Sequence, residues 1–172
     1  MSDSPTARLF IALWPAAADR RRLAGWQAAF RWPADARLTP VANLHVTVHF
    51  IGPVPLARLP EVATGLAMPS PSIELQLGHA DVWRGGIAVL EPLSVPEPLL
   101  ALHARLAEAL RALALPVETR PYRPHVTLAR RAGVRLPAFE ALPPPAHCRF
   151  EGHVLVASAG GQYSVLRRYD AG

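Results

Sequence analysis

The tetrapeptide His45-Val-Thr-Val48 recurs as His125-Val-Thr-Leu128, so the chain carries the pattern His, apolar, Thr, apolar twice. The two copies lie 80 residues apart, and each follows a proline-containing loop and a helix-like stretch. Their β-branched residues favour strands. Two copies in comparable positions predict two halves of the chain related by a pseudo-two-fold axis.

The alternation of side chains along a strand determines which residues of each motif lie on the same face. Residues i and i+2 of a strand point to the same face. His45 and Thr47 therefore project together while Val46 points into the core, and His125 and Thr127 project together in the second copy. Two such strands side by side would present two imidazoles and two hydroxyls to one groove.

This set of side chains suits the cleavage of a phosphodiester. Imidazole titrates near neutral pH, so one histidine can act as a base while the other acts as an acid. Threonine hydroxyls can donate hydrogen bonds to non-bridging phosphate oxygens, although threonine is also common in strands for packing reasons. Arg130, five residues past His125, lies where a guanidinium could clamp the anion.

A metal site is the alternative interpretation of the histidines. His45 and His49 share a face with Thr47, but positions i and i+4 of a strand are about 13 Å apart, too far to share one ion. No carboxylate or cysteine cluster accompanies them. The sequence therefore favours chemistry without a metal ion, and it predicts that His49 flanks the groove.

Composition narrows the function further. The 172 residues are 51% hydrophobic, enough for one domain with a buried core. All 18 basic residues are arginine, which excludes Schiff-base lysines, phosphate-loop lysines and ligases that use a lysine-bound adenylate. The net charge of +5 suits an anionic partner. A single cysteine and the lack of a long apolar run predict a cytoplasmic protein without membrane association.

Helical spacing of apolar residues predicts helices over 16–30, 59–66 and 98–115. Runs rich in β-branched or alternating residues predict strands at 8–14, 45–51, 73–77, 87–90, 125–129, 150–156 and 163–169. Helices and strands do not alternate strictly. This favours an α+β fold with antiparallel sheets over a doubly wound parallel sheet.

The paired motifs resemble the hallmark of the 2H phosphoesterase superfamily. Other segments resemble that family in the same order along the chain: 8–13 its opening strand, 43–52 and 120–130 its two motif blocks, and 161–166 its closing strand. The most similar branch is the bacterial and archaeal RNA 2',3'-cyclic phosphodiesterases, also called 2'-5' RNA ligases. The resemblance implies a single bilobed α+β domain over 1–172, in which two antiparallel sheets related by a pseudo-two-fold form a central groove with helices outside.

The same resemblance implies hydrolysis of an RNA 2',3'-cyclic phosphate to a 2'-phosphomonoester, without metal or nucleotide. In that scheme His125 accepts a proton from water and His45 donates one to the departing 3'-oxygen. Thr47, Thr127 and Arg130 hold the phosphate. The reverse direction would be a 2'-5' RNA ligation that needs no ATP.

Two alternatives stay open. One is a sister activity on a small cyclic nucleotide or an ADP-ribose cyclic phosphate. The other is a non-catalytic RNA-binding module, whose binding would be salt-sensitive and would survive loss of both histidines. We expect a monomer whose partner is RNA or a nucleotide with a 2',3'-cyclic phosphate. Four aromatic residues could stack on bases or pack in the groove wall: Phe10, Trp14, Trp83 and Tyr122.

Overall fold

The computed structural model describes residues 3–171. The strands are β1 Thr6–Leu13, β2 Arg37–Leu38, β3 Val46–Pro55, β4 Ser72–Trp83, β5 Ile87–Pro92, β6 Val126–Arg130, β7 Ala146–Glu151, β8 His153–Ala159 and β9 Gln162–Tyr169. The helices are α1 Ala17–Ala28, α2 Leu59–Gly65 and α3 Glu97–Ala112, with short 3-10 turns at Val41–Asn43 and Leu56–Arg58. None of these helices has the length and apolar character needed to cross a membrane.

The strands form two four-stranded halves that meet at one point. Their order is β7-β4-β5-β6-β3-β1-β8-β9, with β2 paired to β6. The halves join where Val46 pairs with Val126 in antiparallel fashion. The local two-fold axis of that pair relates β3 to β6 and β1 to β5. Helix α1 lies between β1 and β3 in the chain, as α3 lies between β5 and β6. The predicted α+β class and antiparallel halves are confirmed.

The apolar core lies on the face of the sheet that the helices cover. Leu99, Leu102, Leu106 and Leu110 of α3 are fully buried at helical spacing. They belong to one cluster with Val46 of the central strand. Burying such a side chain stabilises the fold by about 1.5–3 kcal/mol. The opposite face at the centre of the sheet is therefore free to carry polar side chains.

A β-bulge in β3 changes which residues face the core. Between Thr47 and His49, β3 advances by two residues while β1 advances by one. Such a bulge shifts the alternation by one position. Val48 and His49 are both buried, and Phe50 faces outward. The prediction that His49 flanks the groove is wrong: its Nε2 lies 2.8 Å from the carbonyl oxygen of His103, on the core side.

A matching bulge follows the second motif. Between Thr127 and Ala129, β6 advances by two residues while β5 advances by one. Leu128 and Ala129 are both buried, as the two-fold relation requires. The same shift returns Arg130, the last residue of β6, to the face of His125.

The predicted single strand over 150–156 is also wrong, because the chain turns at Gly152. β7 ends before this glycine and pairs with β4, whereas β8 begins after it and pairs with β1 in the other half. Gly152 has a φ of 88°, and a Cβ placed there would lie 1.8 Å from the carbonyl oxygen of Tyr169. Only glycine fits this crossing between the halves.

Gly152→Ala should therefore lower the free energy of unfolding by about 2–5 kcal/mol, from backbone strain and the clash together. Gly160→Ala is the matched control, because Gly160 also has a positive φ but has open space around it. Its expected loss is about 1–2 kcal/mol. Urea unfolding of both variants measures the difference, and equal losses would contradict this account of the turn.

Candidate active site

Both motif histidines are held by the carbonyl oxygen two residues before them. His45 Nδ1 lies 2.7 Å from the oxygen of Asn43, and His125 Nδ1 lies 2.8 Å from that of Arg123. Because a carbonyl only accepts, these contacts assign the proton of each neutral ring to Nδ1. Each Nε2 is left to accept or donate a proton in the groove.

The central strand pair brings the two motifs together. Continuing the Val46–Val126 register sets Thr127 opposite His45 and Thr47 opposite His125. The histidines are close enough that the charge of His125 lowers the pKa of His45. The four motif side chains therefore lie on one patch of the exposed face.

His45 lies among aromatic rings. Phe10 stacks on it with ring centroids 4.9 Å apart, Trp14 stacks at 5.7 Å, and Tyr163 meets it edge-on at 5.5 Å. Burial lowers the pKa of His45 to about 4, and the Asn43 carbonyl partly opposes this shift. Without a bound anion, His45 is therefore neutral at pH 7.

The Nε2 of His45 has a hydroxyl partner within its own motif. It lies 2.9 Å from Thr47 Oγ1. Since the neutral ring carries its proton on Nδ1, the hydroxyl donates to Nε2 in the free site. A phosphate oxygen that entered the groove could take over the same hydroxyl.

His125 has a more open setting. It is bounded by Trp83, with ring centroids 4.3 Å apart. Glu91 fixes this wall, accepting from Trp83 Nε1 at 2.9 Å and pairing with Arg123 at 2.7 Å. Burial lowers the pKa of His125, whereas the Arg123 carbonyl and the Glu91 carboxylate raise it. Arg130 lies further along the strand, exposed, and takes part in none of the ion pairs among residues 3–171.

Two hydroxyls outside the motifs donate hydrogen bonds to the backbone of the motif threonines. Tyr122 donates to the carbonyl oxygen of Thr47 at 2.8 Å, and Thr39 Oγ1 donates to that of Thr127 at 2.8 Å. Burial raises the pKa of Tyr122, so its hydroxyl stays protonated. Its ring stacks on His103, with centroids 4.2 Å apart. Tyr122 is thus an interior residue that holds the Thr47 backbone, and its ring does not serve to stack on a nucleobase.

Tyr122→Phe should lower kcat with little change in KM, because it removes only the hydroxyl that fixes Thr47. The unpaired carbonyl should also cost about 1–3 kcal/mol of stability. Tyr163→Phe is the matched control, since it removes a hydroxyl but keeps the ring against His45. Steady-state kinetics and urea unfolding measure both effects, and equal behaviour of the two variants would contradict this role.

Arg20 is a third residue, after Tyr122 and Thr39, whose role in supporting the site sequence reasoning missed. Its guanidinium donates to the carbonyl oxygens of Val41 at 2.9 Å and Leu44 at 2.7 Å, and it lies over the Trp14 ring. It therefore fixes the loop that leads into His45. Its position in the basic run 20–22 gave no signal of this contact.

Phe10 and Trp14 are two of the aromatic residues considered for stacking on nucleobases. Both instead pack against the imidazole of His45.

Comparisons with known proteins place the chain in a family. A family model described as the 2'-5' RNA ligase superfamily matches residues 12–162. An RNA 2',3'-cyclic phosphodiesterase of Escherichia coli (strain K12) is 30% identical over 146 residues, covering 83% of this chain and 80% of that protein. Residues 12–162 include both motifs and every residue of the site described above except Phe10 and Tyr163.

Two solved structures share the fold over nearly their full length. The crystal structure of E. coli LigT complexed with 3'-AMP has a TM-score of 0.82 and 26% identity, covering 97% of this chain and 99% of that one. The crystal structure of a Thermus thermophilus protein, TT0787, has a TM-score of 0.74 and 25% identity, covering 95% and 97%. The chain therefore belongs to the 2'-5' RNA ligase superfamily, has the fold of the 2H phosphoesterases, and is a phosphodiesterase.

Proposed function

We propose that this protein hydrolyses the 2',3'-cyclic phosphate at the end of an RNA to a 2'-phosphomonoester, using its histidine pair without a metal ion. One observation carries the proposal: two His-x-Thr motifs related by a two-fold axis meet on one face, each with its Nδ1 held by a carbonyl. The similarity to an E. coli protein named RNA 2',3'-cyclic phosphodiesterase supports the choice of substrate.

The reaction needs one base and one acid. His125 Nε2 takes a proton from water as the water oxygen attacks phosphorus. The bond from phosphorus to the 3'-oxygen breaks, and His45 Nε2 gives that oxygen a proton. Thr47, Thr127 and Arg130 hold the non-bridging oxygens, where negative charge develops. After one turnover the proton has moved from one histidine to the other, and solvent restores the starting state.

The different surroundings of the two rings support this division of roles. His125 is the more open ring, which suits a base that must meet water. His45 is enclosed by aromatic rings, which suits an acid that must protonate a leaving group without competition from solvent. The reverse reaction would exchange the two roles and would join RNA by a 2'-5' bond without ATP.

The test is turnover of an RNA oligonucleotide that ends in a 2',3'-cyclic phosphate, with an excess of chelator present. We expect the same rate with and without chelator. Activity that disappears with chelator and returns on addition of a divalent cation would overturn the metal-free mechanism. Stoichiometric binding without turnover would instead favour an RNA-binding module.

The pH dependence of kcat/KM should be acid-shifted. Burial lowers the pKa of both His45 and His125 below the ordinary imidazole value of 6.5. The reactive form carries one proton on the pair, and this form is most populated between two pKa values that both lie below 6.5. As the pH rises above the upper value, kcat/KM should fall about tenfold per pH unit.

The profile of kcat should extend to higher pH than that of kcat/KM. A bound phosphate anion favours the charged imidazole and so raises the pKa of the pair in the complex. Initial rates between pH 4 and pH 9 measure both profiles. A value of kcat/KM that rises from pH 6.5 to pH 9 would contradict the proposal that the reactive form carries one proton on the histidine pair.

A further inference from the structure

A cleft of about 520 Å³ opens beside His125, between the β4–β5 turn and the loop after β6. We call it the arginine cleft, and it is lined by Pro33, Asp35, residues 82–86, Arg131, Gly133 and Val134. Its volume is in the range of ligand sites. The reaction proposed above uses none of these residues.

The cleft and the candidate active site share Trp83. The indole lies against His125, with ring centroids 4.3 Å apart, and the Arg123 guanidinium lies over the same indole at 4.5 Å. Trp83 also lines the cleft. Arg130 precedes the cleft residue Arg131 in the chain. A molecule bound between the histidines could therefore extend past Trp83 without leaving the protein surface.

The cleft carries uncompensated positive charge. Arg84 of the β4–β5 turn and Arg131 of the loop after β6 both line it, and Asp35 is the one acidic residue among its lining residues in the part of the chain that the structure describes. Neither arginine takes part in any ion pair among the described residues. Cations left without carboxylate partners in a cleft suit an anionic ligand.

The walls of the cleft are fixed to each other. The backbone N–H of Ala132 donates to the carbonyl oxygen of Gly86 at 2.9 Å. A Cβ on Gly86 would lie 3.4 Å from the Cα of Arg131, so the two backbones approach closely. Arg131 itself has a φ of 57°, unusual for a residue other than glycine. Strain of this kind is often retained where a side chain holds a ligand.

We propose that the arginine cleft binds the phosphate backbone of the RNA strand on the 5' side of its cyclic-phosphate end. The substrate class is then an oligonucleotide and not a free cyclic nucleotide. A free cyclic nucleotide has no phosphate left for Arg84 and Arg131 once its only one is between the histidines, whereas each further linkage of a strand supplies one. This inference rests on the proposed function.

The experiment compares a uridine 2',3'-cyclic phosphate with di- and tetranucleotides that end in the same group. We expect kcat/KM of the wild-type protein to be at least about tenfold higher for the tetranucleotide, the scale of one charge-assisted hydrogen bond. The double variant Arg84→Gln, Arg131→Gln should lose this preference and keep its activity on the mononucleotide. Arg105→Ala, an exposed arginine on α3, is the matched control and should change neither.

Salt dependence provides a second readout. The decline of log kcat/KM with log salt should be steeper for the tetranucleotide than for the mononucleotide, by about 0.7 per phosphate held. The double variant should show equal slopes. A wild-type protein that treats both lengths alike, or a double variant that keeps the preference, would overturn the inference while leaving cyclic-phosphate hydrolysis intact. Failure to turn over either length would reject the proposed function, and this inference with it.

Discussion

Replacing either motif histidine should reduce kcat by about 10²–10⁴-fold, the contribution of one positioned proton-transfer group. His125→Ala removes the proposed base, and His45→Ala removes the proposed acid. The double variant should lose much less than the product of the two single losses, because the groups act as a unit. Steady-state rates on a cyclic-phosphate oligonucleotide measure all three variants.

His147→Ala is the control for this experiment, since that histidine is exposed on the edge strand β7 and lies outside the site. His45 is packed among aromatic rings, so its alanine variant could lose stability as well. His45→Gln fills more of that space but cannot act as an acid, and it should be as inactive as the alanine variant. Full activity in a folded His45→Gln or His125→Ala protein would contradict the mechanism in which the two histidines act as acid and base.

Arg130→Ala should reduce kcat/KM by about 10²–10³-fold, the scale of losing one donor that stabilises developing charge. Arg130→Lys should recover only part of this loss, because an ammonium cannot donate two parallel hydrogen bonds to a phosphate. Arg105→Ala again serves as the control, because α3 packs on the other face of the sheet. The loss should be equal for mono- and oligonucleotide substrates.

The equal loss expected for short and long substrates distinguishes the role of Arg130 from that of the arginine cleft. A clamp on the reacting phosphate affects every substrate, whereas the arginines of the cleft affect only those with further phosphates. An Arg130→Ala protein that hydrolyses the mononucleotide at the wild-type rate would contradict the clamp. The threonine hydroxyls would then be the only groups proposed to donate hydrogen bonds to the reacting phosphate.

The repeat in the sequence was enough to predict the centre of the fold. The i, i+2 rule correctly placed His45 with Thr47 and His125 with Thr127, because both pairs precede the bulges. It failed for His49, because a bulge adds a residue that no local pattern reveals. The matching bulge in β6 brings Arg130 to the histidine face, a result that strict alternation would not give.

The supports of the site depend on contacts between distant parts of the chain. Tyr122 reaches Thr47 across 75 positions, and Thr39 reaches Thr127 across 88. Neither donor has a sequence signature beyond being a hydroxyl near a motif. The crossing at Gly152 was missed for a similar reason, since the apolar residues on both sides of it read as one strand.

The most direct test of the mechanism is hydrolysis of a cyclic-phosphate oligonucleotide in ¹⁸O-labelled water, with chelator present. Mass spectrometry locates the label, and ³¹P NMR identifies the isomer. The proposed attack by water, with His45 protonating the 3'-oxygen, predicts one ¹⁸O in the phosphate and a 2'-phosphomonoester as the sole product. A 3'-phosphomonoester, a mixture of isomers or an unlabelled phosphate would contradict it.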